Sequence, residues 1–179
     1  MNNAGNTSGR ARGRLPSSFV PLLAKVLTVS DGVVAGTRDD VSGRTLTERL
    51  MNEGYVVVEH RITEDGTEAV AKALTDLSAG FAGLIVTTGG TGFGPRDLTP
   101  EGTRAVIERE APGLAEAMRL VSLNQGQPHG MLSRAVCGAV GEALICNLPG
   151  SSKGAIECLE AVLPAIPHAL DLLAGGRPH

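Results

Sequence analysis

The chain has 179 residues, 42 % of them hydrophobic, so it is long enough for one ordinary domain with a real core and too apolar to be disordered throughout. Aromatic side chains make up only 2 %, with no Trp, so the core is expected to be Leu, Val, Ile and Ala, and the scarcity argues against stacking platforms for single-stranded nucleic acid. A net charge of −3, with no basic concentration beyond the first residues, argues against nucleic acid as a partner, and no apolar run is long enough for a membrane span.

Residues 1–18 are rich in Asn, Gly, Ser and Arg, with Arg10, Arg12 and Arg14 alternating with small residues. They are expected to form a disordered basic leader, without the apolar core of a signal peptide, ahead of a single domain over 19–179. Residues 24–29 read as the first strand, ending at Ser30-Asp31-Gly32. Polar residues at the carboxyl end of a strand are where open α/β sheets collect ligands, so Ser30 and Asp31 are site candidates; a turn or helix cap is the alternative. A loop through Asp39, Asp40 and Ser42 leads into a helix with Leu46, Leu50 and Met51 as its buried face, closed by Gly54. The adjacent acids of that loop are expected to be solvated.

Residues 56–62 form a second strand, followed by Asp65 and by Thr67 as the cap of a helix with Val70, Ala73, Leu74 and Leu77 on its apolar face. Asp65 thus lies at another strand end, where it either shares a divalent cation with a second carboxylate or favours the positive end of the next helix.

The strand beginning at Gly83 then breaks into Thr87-Thr88-Gly89-Gly90-Thr91-Gly92 and restarts after Arg96-Asp97-Leu98 as a helix, with Thr99 as cap, Pro100 in the first turn and Glu101 at the positive end of the dipole. Glycines let the backbone approach an anion and leave N–H groups free to point at it. Arg96 supplies a cation for phosphate oxygens and Asp97 a carboxylate for a metal. No Lys-Ser or Lys-Thr follows the glycines, so this is not a Walker A loop, and the spacing is not that of a dinucleotide fingerprint. A structural turn is the alternative.

A helical region over residues 100–110 follows, and Pro112 starts a second segment through Leu114, Met118, Leu120 and Val121. Leu132-Ser133-Arg134 offers a hydroxyl and a guanidinium after a polar loop, for ligand contact or for solvent. Residues 143–147 form the last main strand, and Pro149-Gly150-Ser151 turns into a final helical region broken at Pro164 and Pro167 and ended by Gly175. Cys137, Cys146 and Cys158 are too few and too widely spaced for a disulfide framework or a zinc site; reduced, buried thiols in a cytoplasmic protein are expected. The alternation of strand and helix predicts a three-layer αβα domain with a mostly parallel sheet, without internal repeats.

The Thr87 to Gly92 run with Arg96-Asp97-Leu98-Thr99-Pro100-Glu101, followed by Leu132-Ser133-Arg134 and Asn147-Leu148-Pro149-Gly150-Ser151, resembles the ordered motifs of the MogA/MoaB family of molybdenum cofactor biosynthesis proteins. The resemblance implies a molybdopterin adenylyltransferase, with ATP and molybdopterin as substrates, Mg2+ as the metal and a homotrimeric assembly. It places the essential aspartates on Asp65 and Asp97. Substrate contacts fall on Thr88, Gly89, Gly90, Thr91 and Gly92, on Ser133 and Arg134, and on Pro149, Gly150 and Ser151. Relatives often carry a second acid after the aligned aspartate, where this chain has Gly66. Nucleotidyl transfer suits such residues, because it needs anions positioned and screened rather than a protein nucleophile. A non-catalytic molybdopterin-binding scaffold and a pterin hydrolase or dehydratase are the rival readings.

Overall fold

The computed structural model describes residues 21–176; the expected leader over 1–18 and both ends of the 19–179 domain lie outside them. Strand β1 (Leu23–Val29) leads into the short helix α1 (Asp31–Val34), and α2 (Val41–Asn52) returns the chain to β2 (Val56–Thr63). Helix α3 (Thr67–Ser78) connects to β3 (Gly83–Thr88), and α4 (Thr99–Arg104) to the two-residue β4 (Arg109–Glu110). Helix α5 (Pro112–Asn124), β5 (Cys137–Val140), β6 (Ala143–Leu148), α6 (Ser152–Val162) and α7 (Ile166–Leu173) complete the described chain. The six strands lie in the order β2-β1-β3-β6-β5-β4; the first four are parallel, and β5 is antiparallel to both its neighbours, β6 and β4.

Helices cover both faces of the sheet, as the alternation of elements requires. One core packs Leu46, Leu50, Met118, Leu159 and Ile166 of α2, α5, α6 and α7 against Val26, Leu84 and Cys146. The other packs Val70, Leu74 and Leu77 of α3 against Leu27, Ile85 and Ile145. Successive strand side chains alternate between these two cores, so β1, β3 and β6 are buried on both faces. All three cysteines are buried free thiols. Among the described residues no helix is long and apolar enough to cross a membrane.

Several local expectations are corrected. Met51 is 59 % exposed, because one residue beyond Leu50 turns it about 100° off the buried stripe. Thr67 is the first helical residue of α3 and Gly66, with φ +119°, stands at the cap. Thr99 likewise lies inside α4, whose cap position is Leu98, and its hydroxyl bonds to Gly89 instead. The helix expected over 100–110 stops at Arg104: Val106 and Ile107 turn in against the second core, and Glu108 N donates to Ala139 O as the chain becomes the edge strand β4. Strands β4 and β5 are too short and too poor in β-branched residues to stand out in sequence.

Below the carboxyl ends of β3 and β6, one polar side chain crosses the core. Asn147 is fully buried; its Nδ2 donates to Thr87 Oγ1 at 3.1 Å and Thr103 Oγ1 at 2.9 Å, while Oδ1 accepts from Val136 N at 3.2 Å. The amide therefore joins β3, β6, α4 and the segment entering β5. Replacing it with a similar-sized apolar group leaves the Val136 N–H without a partner in a dry interior. Asn147→Leu is expected to lower unfolding free energy by about 2–3 kcal/mol in denaturant titration; a loss within experimental error would mean that the network is dispensable.

Candidate functional site

Four parallel strands end at one level of the sheet. Val29 of β1 is level with Thr63 of β2, Thr28 of β1 with Thr88 of β3, and Thr88 with Leu148 of β6. The residues that follow, Ser30, Asp65, Gly89 and Pro149, are therefore delivered to one edge. The chain moves outward from β1 in both directions, to β2 on one side and β3 on the other, so a crevice opens where ligands of such sheets bind.

The glycine turn closes onto this edge. Gly89 has φ +103°, and a Cβ there would fall 2.2 Å from the Val29 carbonyl oxygen. Gly90 has φ +63°, and its Cβ would fall 2.2 Å from Thr99 Oγ1 and 3.2 Å from Asp65 Oδ1. Both positions require glycine for conformation and for space. Thr99 ties the turn down, its Oγ1 donating to Gly89 O at 2.9 Å and its N to Gly90 O at 3.1 Å. Thr88 Oγ1 donates to Pro149 O at 2.8 Å, linking this turn to the one after β6.

Two carboxylates flank the glycines. Asp65 Oδ2 accepts from Asp31 N at 2.8 Å, and Asp31 Oδ1 returns the bond from Asp65 N at 3.0 Å. This reciprocal pair fixes the end of β2 beside the end of β1. Asp97 Oδ2 accepts from Gly94 N at 2.8 Å and lies 2.8 Å from where a Cβ on Gly92 or Gly94 would stand. Each aspartate is thus fitted against backbone that a larger residue would push away.

A polar cavity of about 770 Å³ sits over this edge. Ser30, Asp65, Thr88, Gly89, Gly90, Thr91, Gly92, Asp97, Pro149, Gly150 and Ser151 all line it, so the structure brings these candidates together. Ser30 and Ser151 also cap helices, accepting from Val33 N and from Gly154 N, each at 3.3 Å. A second, more apolar cavity of about 480 Å³ adjoins it and contains Ser133, Phe93, Met118 and Leu132; Thr91, Gly92, Pro149 and Ser151 form the wall common to both.

Asp31, Arg96 and Arg134 line neither cavity. Arg96 makes a bidentate pair with Asp31, Nε to Oδ2 at 2.8 Å and Nη2 to Oδ1 at 2.9 Å. That guanidinium holds the Asp31 carboxyl below the usual carboxylate range. Arg134 Nε donates to Gly92 O at 2.7 Å, with Nη1 on Glu101 Oε1 and Nη2 on Asp97 O. Conversely, Arg38, Asp39, Ser42 and Ser152 line the polar cavity although the sequence marks none of them as a site residue. Their one available signal was proximity: three follow the end of β1 and one follows the turn after β6.

Among the described residues there is no cluster of three or more His, Cys, Asp or Glu side chains arranged to hold a metal. Two aspartates facing one polar cavity, each with an oxygen oriented by a backbone N–H, fit an ion that keeps several waters and takes substrate phosphates as its remaining ligands, which is the habit of Mg2+.

Residues 25–168 match the protein family described as "Probable molybdopterin binding domain". The molybdopterin adenylyltransferase of Helicobacter pylori (strain J99) is 41 % identical over 155 residues, spanning 84 % of this chain and 86 % of the relative. Gephyrin of Dictyostelium discoideum is 39 % identical over 83 % of this chain, which takes up 22 % of that longer protein. The solved structure of the molybdopterin biosynthesis enzyme MoaB from Thermus thermophilus superposes with a TM-score of 0.80 at 46 % identity, covering 86 % of this chain and 97 % of that one. With the family match covering most of its length and the ordered motifs gathered at one sheet edge, the chain belongs to the MogA/MoaB family of molybdenum cofactor biosynthesis proteins.

Proposed function

We propose that this protein is a molybdopterin adenylyltransferase, transferring AMP from Mg-ATP to the terminal phosphate of molybdopterin and releasing pyrophosphate. The observation that carries this reading is the convergence of Asp65, from the end of β2, and Asp97, from the loop between β3 and α4, on one cavity built around a glycine turn. Relatives named for this activity support it.

In such a transfer a molybdopterin phosphate oxygen forms a bond to the α-phosphorus of ATP while the bond from that phosphorus to the pyrophosphate oxygen breaks. The main barrier is bringing two anions together and holding an in-line approach. The adjoining cavities give two ligands a common wall at Thr91, Gly92, Pro149 and Ser151, so their reacting ends meet there. The glycine backbone permits close approach of phosphate oxygens, and the Ser30 and Ser151 hydroxyls lie on the cavity wall. Asp65 and Asp97 would hold Mg2+, which supplies charge neutralisation on the phosphates. Asp39, Asp65 and Asp97 make the cavity wall acidic, and such a wall repels a polyphosphate unless a cation intervenes. The cysteine thiols are buried, and a transfer that needs anions positioned and screened calls for no protein nucleophile.

A homotrimer acting in the cytoplasm completes the reading. A shallow depression containing Leu120, Leu123 and Met131, with Leu120 57 % and Met131 62 % exposed, provides apolar surface for subunit contact.

Two measurements test these statements. Incubated with molybdopterin and Mg-ATP, the protein is expected to release pyrophosphate, and Asp97→Asn to lower that rate at least about a hundredfold, equivalent to roughly 2.7 kcal/mol of transition-state stabilisation, with unchanged thermal unfolding. Binding of molybdopterin without pyrophosphate would favour the scaffold reading, and a full rate from Asp97→Asn would remove that residue from the metal site. Light scattering on the purified protein should give about three times the 18.4 kDa mass of one chain; a monomer at micromolar concentration would refute the trimer.

A further inference from the structure

The guanidinium groups around the glycine turn differ in what already occupies them. Arg96 spends its fork on both oxygens of Asp31, and Nη2 also reaches the Asp65 carbonyl at 2.6 Å. Arg134 reaches across the central loop to the carbonyls of Gly92 and Asp97 and to Glu101, its backbone N donates to Thr91 O at 3.0 Å, and its guanidinium stands 5.5 Å from the Phe93 ring. Arg96 thus grips the backbone of one candidate metal aspartate and Arg134 that of the other. Arg38 is different. It lines the polar cavity, and its guanidinium makes no ion pair or hydrogen bond among the described residues. It is also the only Lys or Arg among the described residues lining that cavity, where the other charged groups are Asp39, Asp65 and Asp97.

Resting on the nucleotidyl-transfer reading, we infer that the arginines at this site fall into two roles, in which Arg38 contacts the phosphates of the nucleotide, while Arg96 and Arg134 are positioning residues that hold the backbones of Asp65 and Asp97. The chemistry of the two classes differs accordingly. A guanidinium bridging three acceptors uses its planar fork, for which an ammonium on a flexible stem is no substitute; a cation meeting a phosphate at a cavity wall also works as a point charge. Arg134 has a further restraint, since Glu101 Oε2 is buried without a hydrogen-bond partner and the ion pair with Arg134 is what offsets that charge.

Charge-matched substitutions separate the roles, because Arg38→Gln and Arg134→Gln each remove one positive charge. Calorimetric titration with Mg-ATP should show Arg38→Gln weakening binding about tenfold, with Arg38→Lys recovering most of it. Arg134→Gln should lower kcat at saturating Mg-ATP at least about tenfold, and Arg134→Lys should not restore the rate. In the ligand-free protein, amide hydrogen exchange over residues 92–98 should quicken by about tenfold or more in the Arg134 variants and stay unchanged in Arg38→Gln. Arg96→Gln, at a more exposed position than Arg134, should show the same loss of kcat if the Arg134 variants fold poorly.

Wild-type affinity in Arg38→Gln would overturn the assignment of Arg38, as would a wild-type protein that binds no Mg-ATP. Weakened Mg-ATP binding at full kcat in the Arg134 or Arg96 variants, with unaltered exchange, would make those arginines phosphate ligands and overturn the division. Wild-type protein that binds Mg-ATP yet releases no pyrophosphate with molybdopterin would defeat the transfer reading alone, leaving the binding and exchange measurements to decide the roles of the arginines.

Discussion

The approach of Gly89 to the Val29 carbonyl sets the geometry of the whole edge. At this junction two parallel strands end level with each other, and the chain leaving β3 must cross the end of β1 without a side chain in the way. A Cβ at Gly89 would stand 2.2 Å from the carbonyl oxygen, far inside contact, so the backbone passes there only as glycine. Gly90 then settles against Thr99 and beneath Asp65, and the loop returns to place Asp97 over Gly92 and Gly94. Closeness of backbones, rather than any single strong bond, brings carboxylates from sequence positions 65 and 97 to one cavity. The glycines therefore serve packing, and the same atoms form part of the cavity wall, so a structural turn and a ligand turn are compatible readings of this stretch.

Such a tightly folded turn needs anchoring from below, and the anchors are polar groups within the core. Asn147 links β3 and β6 to Thr103 of α4, and Thr103 Oγ1 donates to Thr99 O at 2.8 Å in the same helix. Thr99 in turn holds Gly89 and Gly90. A continuous chain of hydrogen bonds therefore runs from the middle of the sheet to the glycine turn. Within a low-dielectric interior each member is costly to leave unpaired, so the network specifies one arrangement of the turn relative to the strands. An apolar core alone would fix the layer spacing but would leave the loop free to choose among several exits from β3.

Much of this was legible in the sequence, and the parts that were not share a physical cause. The strands buried on both faces announced themselves as β-branched runs, and the repeated sequence of strand, polar turn and helix gave the parallel sheet and its ligand edge. Ser30, Asp65, the glycines and the turn after β6 were legible as candidates because a strand end is a location readable in one dimension; Asp97, farther along the loop after β3, was legible by residue type beside a helix start. What Arg134 touches was not, because its fork reaches over 37 residues to the carbonyl of Asp97. Residue type suggested a phosphate cation; three-dimensional proximity supplied competing acceptors. Arg38 is illegible for the opposite reason, since a charged residue in a loop looks solvated until the fold turns that loop toward the cavity. The caps of α3 and α4 fall one position before Thr67 and Thr99, the boundary shift expected when a glycine or an outward tether takes over from a capping side chain.

The electrostatics of the cavity bear on why an acidic pocket would serve an anionic substrate. Three carboxylates against one guanidinium give a wall that by itself repels phosphate. Tying Arg96 to Asp31 and Arg134 to Glu101 removes two further cations from solution-facing duty and makes that imbalance sharper. In the proposed reaction the imbalance becomes useful: a metal-nucleotide complex brings its own positive charge to the aspartates, whereas a nucleotide arriving without the metal meets repulsion from the same groups. Affinity then depends on metal and nucleotide together, and binding is coupled to the ion that the transfer requires. A wall rich in free arginines would bind phosphates more tightly but would not make that distinction. On this reasoning the arginines near the turn are most effective where the structure puts them, behind the carboxylates, setting their position.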